Sequence, residues 1–262
     1  MPKAQLNGTE LFYVDKGAGK PVIFIPGLGA THELWEPQIE EYSRTHRVIA
    51  IDPRGTGESG RLTGPVSTVL DRQCDDLAAL MEHLGIPRAL VCGVSYGGVF
   101  TFRFALRHPA KTAALVIVDS FSDTRPKHLV DRLIALSNYN VWANYLPPRW
   151  LKALMRPLWK RWPRAAAAMV RIMDHWRGHE ATLQRLAIMR AEHTSRLGRV
   201  RVPALGLVGD HTATGVRFMR TAMGALPNAR LEVIPDSFDP SNLCQTETFN
   251  RHLSQFLREI GW

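Results

Sequence analysis

Cysteine is scarce and dispersed: the 262 residues contain only Cys74, Cys92 and Cys244, with no C-x-x-C pair. A disulfide framework and a zinc ribbon are thereby excluded, and a reducing compartment is expected. The opening MPKAQLNGTELFY lacks the apolar core of a secretory signal, and no stretch approaches the ~18 apolar residues that a membrane span requires. A cytoplasmic protein without stable membrane insertion is expected. There is no glycine-rich dinucleotide fingerprint, no phosphate loop and no cluster of metal ligands, so no cofactor and no metal are expected. With 45% hydrophobic and 22% charged residues, 20 Gly and 17 Pro, disorder and collagen are also excluded. The remaining class is one medium-sized globular domain, or a core with a small insertion.

Acidic residues are sparse in one part of the chain. From Arg125 to Arg201, sixteen Lys and Arg stand against only Asp131, Asp174, Glu180 and Glu192, so this segment outweighs the whole formal charge of +9. It also holds Trp142, Trp150, Trp159, Trp162 and Trp176, five of the seven tryptophans. Interleaved cations and aromatics suit nucleic acid, an anionic membrane surface or an acidic substrate. No nucleic-acid-binding signature accompanies them. We therefore read the segment as an amphipathic helical cap, with indoles toward a pocket and arginines mostly toward water. Trp142, Trp150 and Trp159 are the expected pocket-lining residues.

Apolar runs of strand length recur at 11–14 (LFYV), 21–26 (PVIFIP), 47–52 (RVIAID), 89–94 (ALVCGV), 114–119 (ALVIVD), 204–209 (ALGLVG) and 231–235 (LEVIP). Apolar residues at helical spacing mark 70–84, 97–107, 216–226 and 246–260 between them. This alternation predicts a mostly parallel sheet covered on both faces. The rhythm stops once. From about 121 to 197 there is no strand candidate, only helix-forming stretches punctuated by Pro147-Pro148, Pro157 and Pro163. An insertion over the C-terminal edge of the sheet is expected, where open α/β sheets bind ligands. The boundaries are a core of 1–121 and 198–262 and a cap of 122–197.

Gly93-Val94-Ser95-Tyr96-Gly97-Gly98 follows one of these strands directly and opens a helix. This is G-x-S-x-G in its required strand, turn and helix setting. Small residues two before and two after the serine permit a tight turn that presents Ser95 Oγ at the sheet edge. Pro26-Gly27-Leu28-Gly29, after another strand, is placed to supply the Leu28 N–H, which together with the Tyr96 N–H forms an oxyanion hole. Asp52-Pro53-Arg54-Gly55-Thr56-Gly57-Glu58-Ser59 reads as a glycine-rich bracing turn with an internal Asp52–Arg54 pair and no catalytic role.

Together these segments resemble the α/β-hydrolase superfamily over nearly the whole chain. The resemblance implies an eight-stranded, mostly parallel sheet with helices on both faces and a helical cap inserted after strand six. It says much less of substrate, since the superfamily includes esterases, lactonases, thioesterases, amidases, epoxide hydrolases, dehalogenases, carbon–carbon hydrolases, lyases and receptors.

Two positions depart from the family pattern. Relatives place an acid in G-x-x-D after strand seven, whereas this chain reads Gly209-Asp210-His211-Thr212, with Thr212 at the place of the acid. Some members carry the acid at the end of strand six, and Asp119 stands there. Relatives also carry a histidine in a segment like I-P-G-A-G-H-x-x-x-L-E-x-P-E-x-F-N. That segment aligns without a gap on 234–250, IPDSFDPSNLCQTETFN, and Asp239 holds the place of the histidine. A carboxylate, with an ordinary pKa of ~3.9, is a weaker base than imidazole at ~6.5, and its side chain is shorter. Burial, or a neighbouring carboxylate such as Asp119, would raise it and make it a usable acid/base. His211, His32, His128, His175, His179 and His193 are other candidates, and spacing does not choose among them. His252 falls inside the final helix, on a face expected to be solvated.

The expected function is that of an enzyme acting on a small, largely apolar ester, lactone or similar acyl compound, most naturally a hydrolase, with Ser95, Asp239 and Asp119 as catalytic residues. Two alternatives stand beside it: proton-transfer chemistry of lyase or cyclase type, and ligand binding without catalysis. Retention of Ser95, the elbow glycines and the oxyanion loop favours an enzyme, and loss of the histidine favours the alternatives. The expected partner is a small molecule, not nucleic acid. Oligomeric state is not legible.

Overall fold

The computed structural model describes residues 2–124 and 141–262. Arg125, Lys127, His128, Asp131 and Arg132, together with the rest of 125–140 in the expected cap, lie outside the described residues.

One sheet has the strand order β1-β2-β4-β3-β5-β6-β7-β8. Its strands are β1 (Lys3–Leu6), β2 (Thr9–Lys16), β3 (Pro21–Ile25), β4 (Arg47–Ile51), β5 (Ala89–Val94), β6 (Thr112–Val118), β7 (Ala204–Gly209) and β8 (Ala229–Ile234). β1 and β2 pair antiparallel, as do β2 and β4, and every other pairing is parallel. The seven apolar runs are strands β2 to β8. The short edge strand β1 has no apolar run of its own, because Lys3 and Gln5 face solvent.

The runs are apolar without alternation because both sides of the sheet are covered. Val22, Phe24, Val48, Ala50 and Cys92 join one core with residues of α1 (Glu36–Tyr42) and a long C-terminal helix (Thr246–Glu259). Their neighbours Ile23, Ile25, Ile49, Ile51 and Val91 point the other way, into a second core under α2 (Val69–His83) and α3 (Tyr96–Arg107). Each such side chain contributes about 1.5–3 kcal/mol through burial.

Between β6 and β7 the structure is helical: α4 (Pro148–Met155), α5 (Pro163–Ile172) and α6 (Gly178–Ile188), joined by 3-10 turns. Among the described residues there, the sole strand-like pairing is a bridge between Asp123 and Glu192. Pro148 and Pro163 start helices instead of breaking them, since the first turn has no use for their missing N–H. After β7 come α7 (Ala213–Gly224), β8, the single turn α8 (Ser241–Cys244) and α9 (Thr246–Glu259). No helix among the described residues is long and apolar enough to cross a membrane.

Candidate active site

Ser95 is the residue between β5 and α3. Its φ of 54° and ψ of −114° lie where a non-glycine residue is strained by about 1–3 kcal/mol. Its N–H donates to the Val118 carbonyl at 2.8 Å, tying the elbow to the next strand. Glycine is required on either side. A Cβ on Gly93 would sit 2.1 Å from the Gly97 oxygen, and one on Gly97 would sit 2.3 Å from the Ile25 oxygen. The elbow is thus packed against its own helix and against the end of β3, and this close packing maintains the strain at Ser95.

The loop after β3 runs beside the serine: a Cβ on Gly27 would lie 3.8 Å from Ser95 Cβ. Among the described residues, neither the Leu28 nor the Tyr96 amide has a protein acceptor. Both are therefore free to donate to a ligand atom. The loop is fastened by its next residue, since the Gly29 N–H donates to Gln184 Oε1 on α6 at 3.0 Å.

Asp119 follows β6 with a φ of 44°. Its Oδ1 accepts the Gly209 N–H and the Ser241 hydroxyl, both at 2.9 Å, and its Oδ2 accepts the Ser241 N–H at 2.6 Å. Asp239 lies on the loop between β8 and α8, with its carbonyl accepting the Trp159 indole N–H at 2.8 Å. Both carboxyls are deep within the protein while keeping some accessible surface, as groups beside a cavity do. Depth raises Asp119 to about 6, against its three hydrogen bonds, which favour the charged form. Asp239 rises further, to about 8, first through depth and then through the negative charge of Asp119, with the Ser95 hydroxyl acting in the opposite direction. Both carboxyls are thus held back from ionising, Asp239 more than Asp119, and the titration belongs to the pair.

Ser95, Asp239 and Leu28 border a cavity of about 250 Å³ whose walls are mostly aliphatic and aromatic. Ser95 and Asp239 therefore share this cavity, whereas Asp119 does not line it and acts on Asp239 through its charge. The pocket tryptophans need correction. Trp159 does line the cavity, but Trp142 and Trp150 are 58% and 57% exposed and do not. For Trp150 the reason is helical phase. Leu151, Met155 and Trp159 form the stripe that faces the cavity, whereas Trp150, Leu154 and Leu158, one residue earlier, are turned about 100° away into solvent. Trp176 lines the cavity as well. Trp162 is buried, stacks on Phe238 at 6.1 Å and donates to the Asp236 carbonyl at 2.8 Å.

No described histidine lines this cavity. Burial lowers His32, but its pairing with Asp52 at 2.8 Å outweighs this and raises it above its ordinary value. His211 is exposed and edge-on to Trp162. Burial and the nearby Arg103 and Arg196 lower His193 to about 4, at another cleft. His175 and His179 are exposed, His252 is on α9, and His128 lies outside the described residues. Thr212 accepts the Gly215 N–H and caps α7. The expected Asp52–Arg54 pair is also corrected. Arg54 donates twice to Asp76 on α2, at 2.7 and 2.8 Å, while Asp52 accepts the His32 N–H at 2.7 Å. Adjacent side chains in the turn diverge, so each finds a partner on another element.

The sequence reading missed Ser241, which holds Asp119, and Arg185, which borders the cavity. Ser241 had no motif to mark it, and Arg185 was one of sixteen cations in its segment. Among the described residues, no group of three or more His, Cys, Asp or Glu gathers as a metal-ligand set. A larger, polar cleft of about 480 Å³ lies around His193 and Arg103, but Arg103 is already paired with Asp71 at 2.5 Å.

Comparison with known proteins gives a consistent picture. Residues 20–161 match the family model described as alpha/beta hydrolase fold. A protein of Azorhizobium caulinodans named as a carbamate hydrolase, RutD, is 28% identical over 99% of both chains. Another so named, of Caulobacter sp. (strain K31), is 30% identical over 90% of both. Among solved structures, the enol-lactonase from Burkholderia xenovorans LB400 superposes with a TM-score of 0.83 at 26% identity, covering 98% of this chain and all of that one.

Proposed function

Because the chain belongs to the α/β-hydrolase fold family, we propose that it is a hydrolase cleaving a small, largely apolar ester, lactone or related acyl compound at Ser95, with Asp239 as the base. The observation that carries this reading is the meeting of the Ser95 hydroxyl, the Asp239 carboxyl and the Leu28 amide at one mostly apolar cavity. Relatives named for carbamate and enol-lactone cleavage support the reaction class. We read 122–197 as the cap that encloses the substrate.

In the proposed cycle, ionised Asp239 takes the Ser95 proton as Oγ attacks the acyl carbon. The developing oxyanion accepts the Leu28 and Tyr96 N–H groups. Asp239 then returns the proton to the departing oxygen, leaving an acyl-serine. Water, deprotonated by Asp239, attacks that acyl group; the acid leaves and the Ser95 hydroxyl is restored. A carboxylate at its ordinary pKa would be a poor base for a serine hydroxyl, and the elevation of Asp239 strengthens it toward imidazole. Asp119 acts through Asp239, by raising its basicity, and through Ser241, by fixing the start of α8.

One observation favours a second reading. A carboxyl raised to about 8 is largely protonated at neutral pH, and so is equipped to donate a proton without an acyl-enzyme. Mass spectrometry of the protein mixed with p-nitrophenyl butyrate separates the two. An acyl adduct on Ser95 that is absent from Ser95→Ala supports hydrolysis. No adduct and no p-nitrophenol release between about pH 6 and 9 overturns it, since that interval spans the titration of a tuned carboxyl.

A further inference from the structure

The described arginines of the cation-rich segment meet nearly all of their needs locally. Arg171 pairs with Glu36 at 2.6 Å, Arg161 pairs with Asp236 at 2.5 Å, and Arg177 donates to the Gly57 and Ser59 carbonyls at 2.5 and 2.8 Å. Arg149, Arg156, Arg164, Arg190, Arg199 and Arg201 are exposed to water. Arg185 has no such partner. It is half-buried at the cavity beside Ser95, its Nε is shut off from solvent with nothing to donate to, and among the described residues no carboxylate pairs with it. Burial accordingly lowers its guanidinium below the ordinary arginine range.

A half-buried cation whose Nε is left unpaired beside largely apolar walls is destabilising, and a ligand anion is what would offset it. Apart from Asp239, the remaining walls, including Leu34, Trp159 and Trp176, offer no charge. Asp239 also lines this cavity, but among the described residues no ion pair joins it to Arg185, which leaves the guanidinium for a ligand group. The cation is also firmly mounted: its neighbour Gln184 is fully buried and holds the Gly29 amide at 3.0 Å, so α6 is locked to the loop that carries Leu28.

We propose that Arg185 is a subsite for a substrate carboxylate: the compound cleaved at Ser95 carries a carboxylate away from its scissile bond, and the guanidinium takes it through paired N–H donors. The planar fork matches the two carboxylate oxygens. The apolar walls enclose the stem between the two ends, and one cation in about 250 Å³ suits a single negative charge. This inference rests on the proposed acyl chemistry at Ser95 and narrows its substrate to acyl compounds with an acid tail.

The test is calorimetric binding to Ser95→Ala protein, in which turnover is blocked. Monoethyl glutarate, monoethyl adipate and phenylacetate are each compared with a neutral counterpart: diethyl glutarate, diethyl adipate and phenylacetamide. At least one acid is expected to bind about tenfold or more tightly than its counterpart, as a desolvated charge-assisted pair requires. In the Ser95→Ala background, Arg185→Gln abolishes this preference, and Arg185→Lys restores part of it. The Arg185→Gln protein melts at or above the temperature of its parent, because an unpaired cation has been removed, which separates loss of the subsite from loss of the fold. Failure of every acid to bind, equal binding of acid and neutral partner, or a preference that survives Arg185→Gln overturns the proposal. With Ser95 intact, an equal loss of turnover on acidic and neutral esters in Arg185→Gln places the guanidinium at the reacting carbonyl and also overturns it. Absence of ester turnover by the parent, with acid-selective binding retained in Ser95→Ala, removes the hydrolase reading and leaves the subsite standing.

Discussion

The floor and the roof of the cavity treat polar groups differently. On the floor, supplied by the sheet and its loops, Asp119 is held by three hydrogen bonds, from the Gly209 N–H and from the N–H and hydroxyl of Ser241. On the roof, supplied by α4 to α6, large apolar side chains face inward, most cations face water, and Arg185 faces the cavity without a partner. A network satisfied from within holds its geometry whether or not a ligand is bound, whereas an unsatisfied group waits for one. The proposed division is therefore reaction at the floor and selection at the roof.

The sharpest way to break this division is Ser95→Ala. If the floor alone performs the chemistry, ester turnover falls about a thousandfold or more while binding under the roof persists, as steady-state rates and calorimetry would report together. Next is Asp239→Asn, expected to lower turnover about a hundredfold or more. It should also show a stability signature. Because the folded protein holds this carboxyl above its unfolded value, the associated stability is present at low pH and lost as pH rises through about 8. Asp239→Asn should thus gain on the parent in melting temperature between pH 5 and pH 9, by about 5 °C. A smaller change comes from Asp119→Asn. Removing that charge lets Asp239 ionise earlier, so the rising limb of the pH–rate profile moves to lower pH, and the plateau drops as the base weakens. Trp159→Phe tests the seam between floor and roof; loss of one indole hydrogen bond to the Asp239 carbonyl should reduce turnover about fivefold. Trp150→Ala should be smallest, within about 0.5 kcal/mol in chemical denaturation and silent in turnover, because the ring lies in solvent.

The same division explains what was legible in the sequence. Strands buried on both faces must be apolar at every position, so β3 to β7 announce themselves as continuous runs. β1 is a four-residue edge and α1 a seven-residue helix begun near a proline, both too short for a period to emerge. Ser95 was legible because a strained elbow demands small neighbours at fixed positions, and Asp239 because the surrounding segment kept its register. The roof was less readable. Its tryptophans are legible as a group, but the phase that turns Leu151 inward and Trp150 outward is set by where α4 begins, and Trp159 follows on the 3-10 turn after it. The one inward arginine differs from the others only in what packs around it.

The indole bonds from Trp159 to the Asp239 carbonyl and from Trp162 to the Asp236 carbonyl join the roof to the loop that carries Asp239. In the proposed cycle these two bonds hold the Asp239 loop against the helices above it, so losing both, in Trp159→Phe with Trp162→Phe, is expected to lower turnover more than either change alone, as steady-state rates of the single and double variants would report.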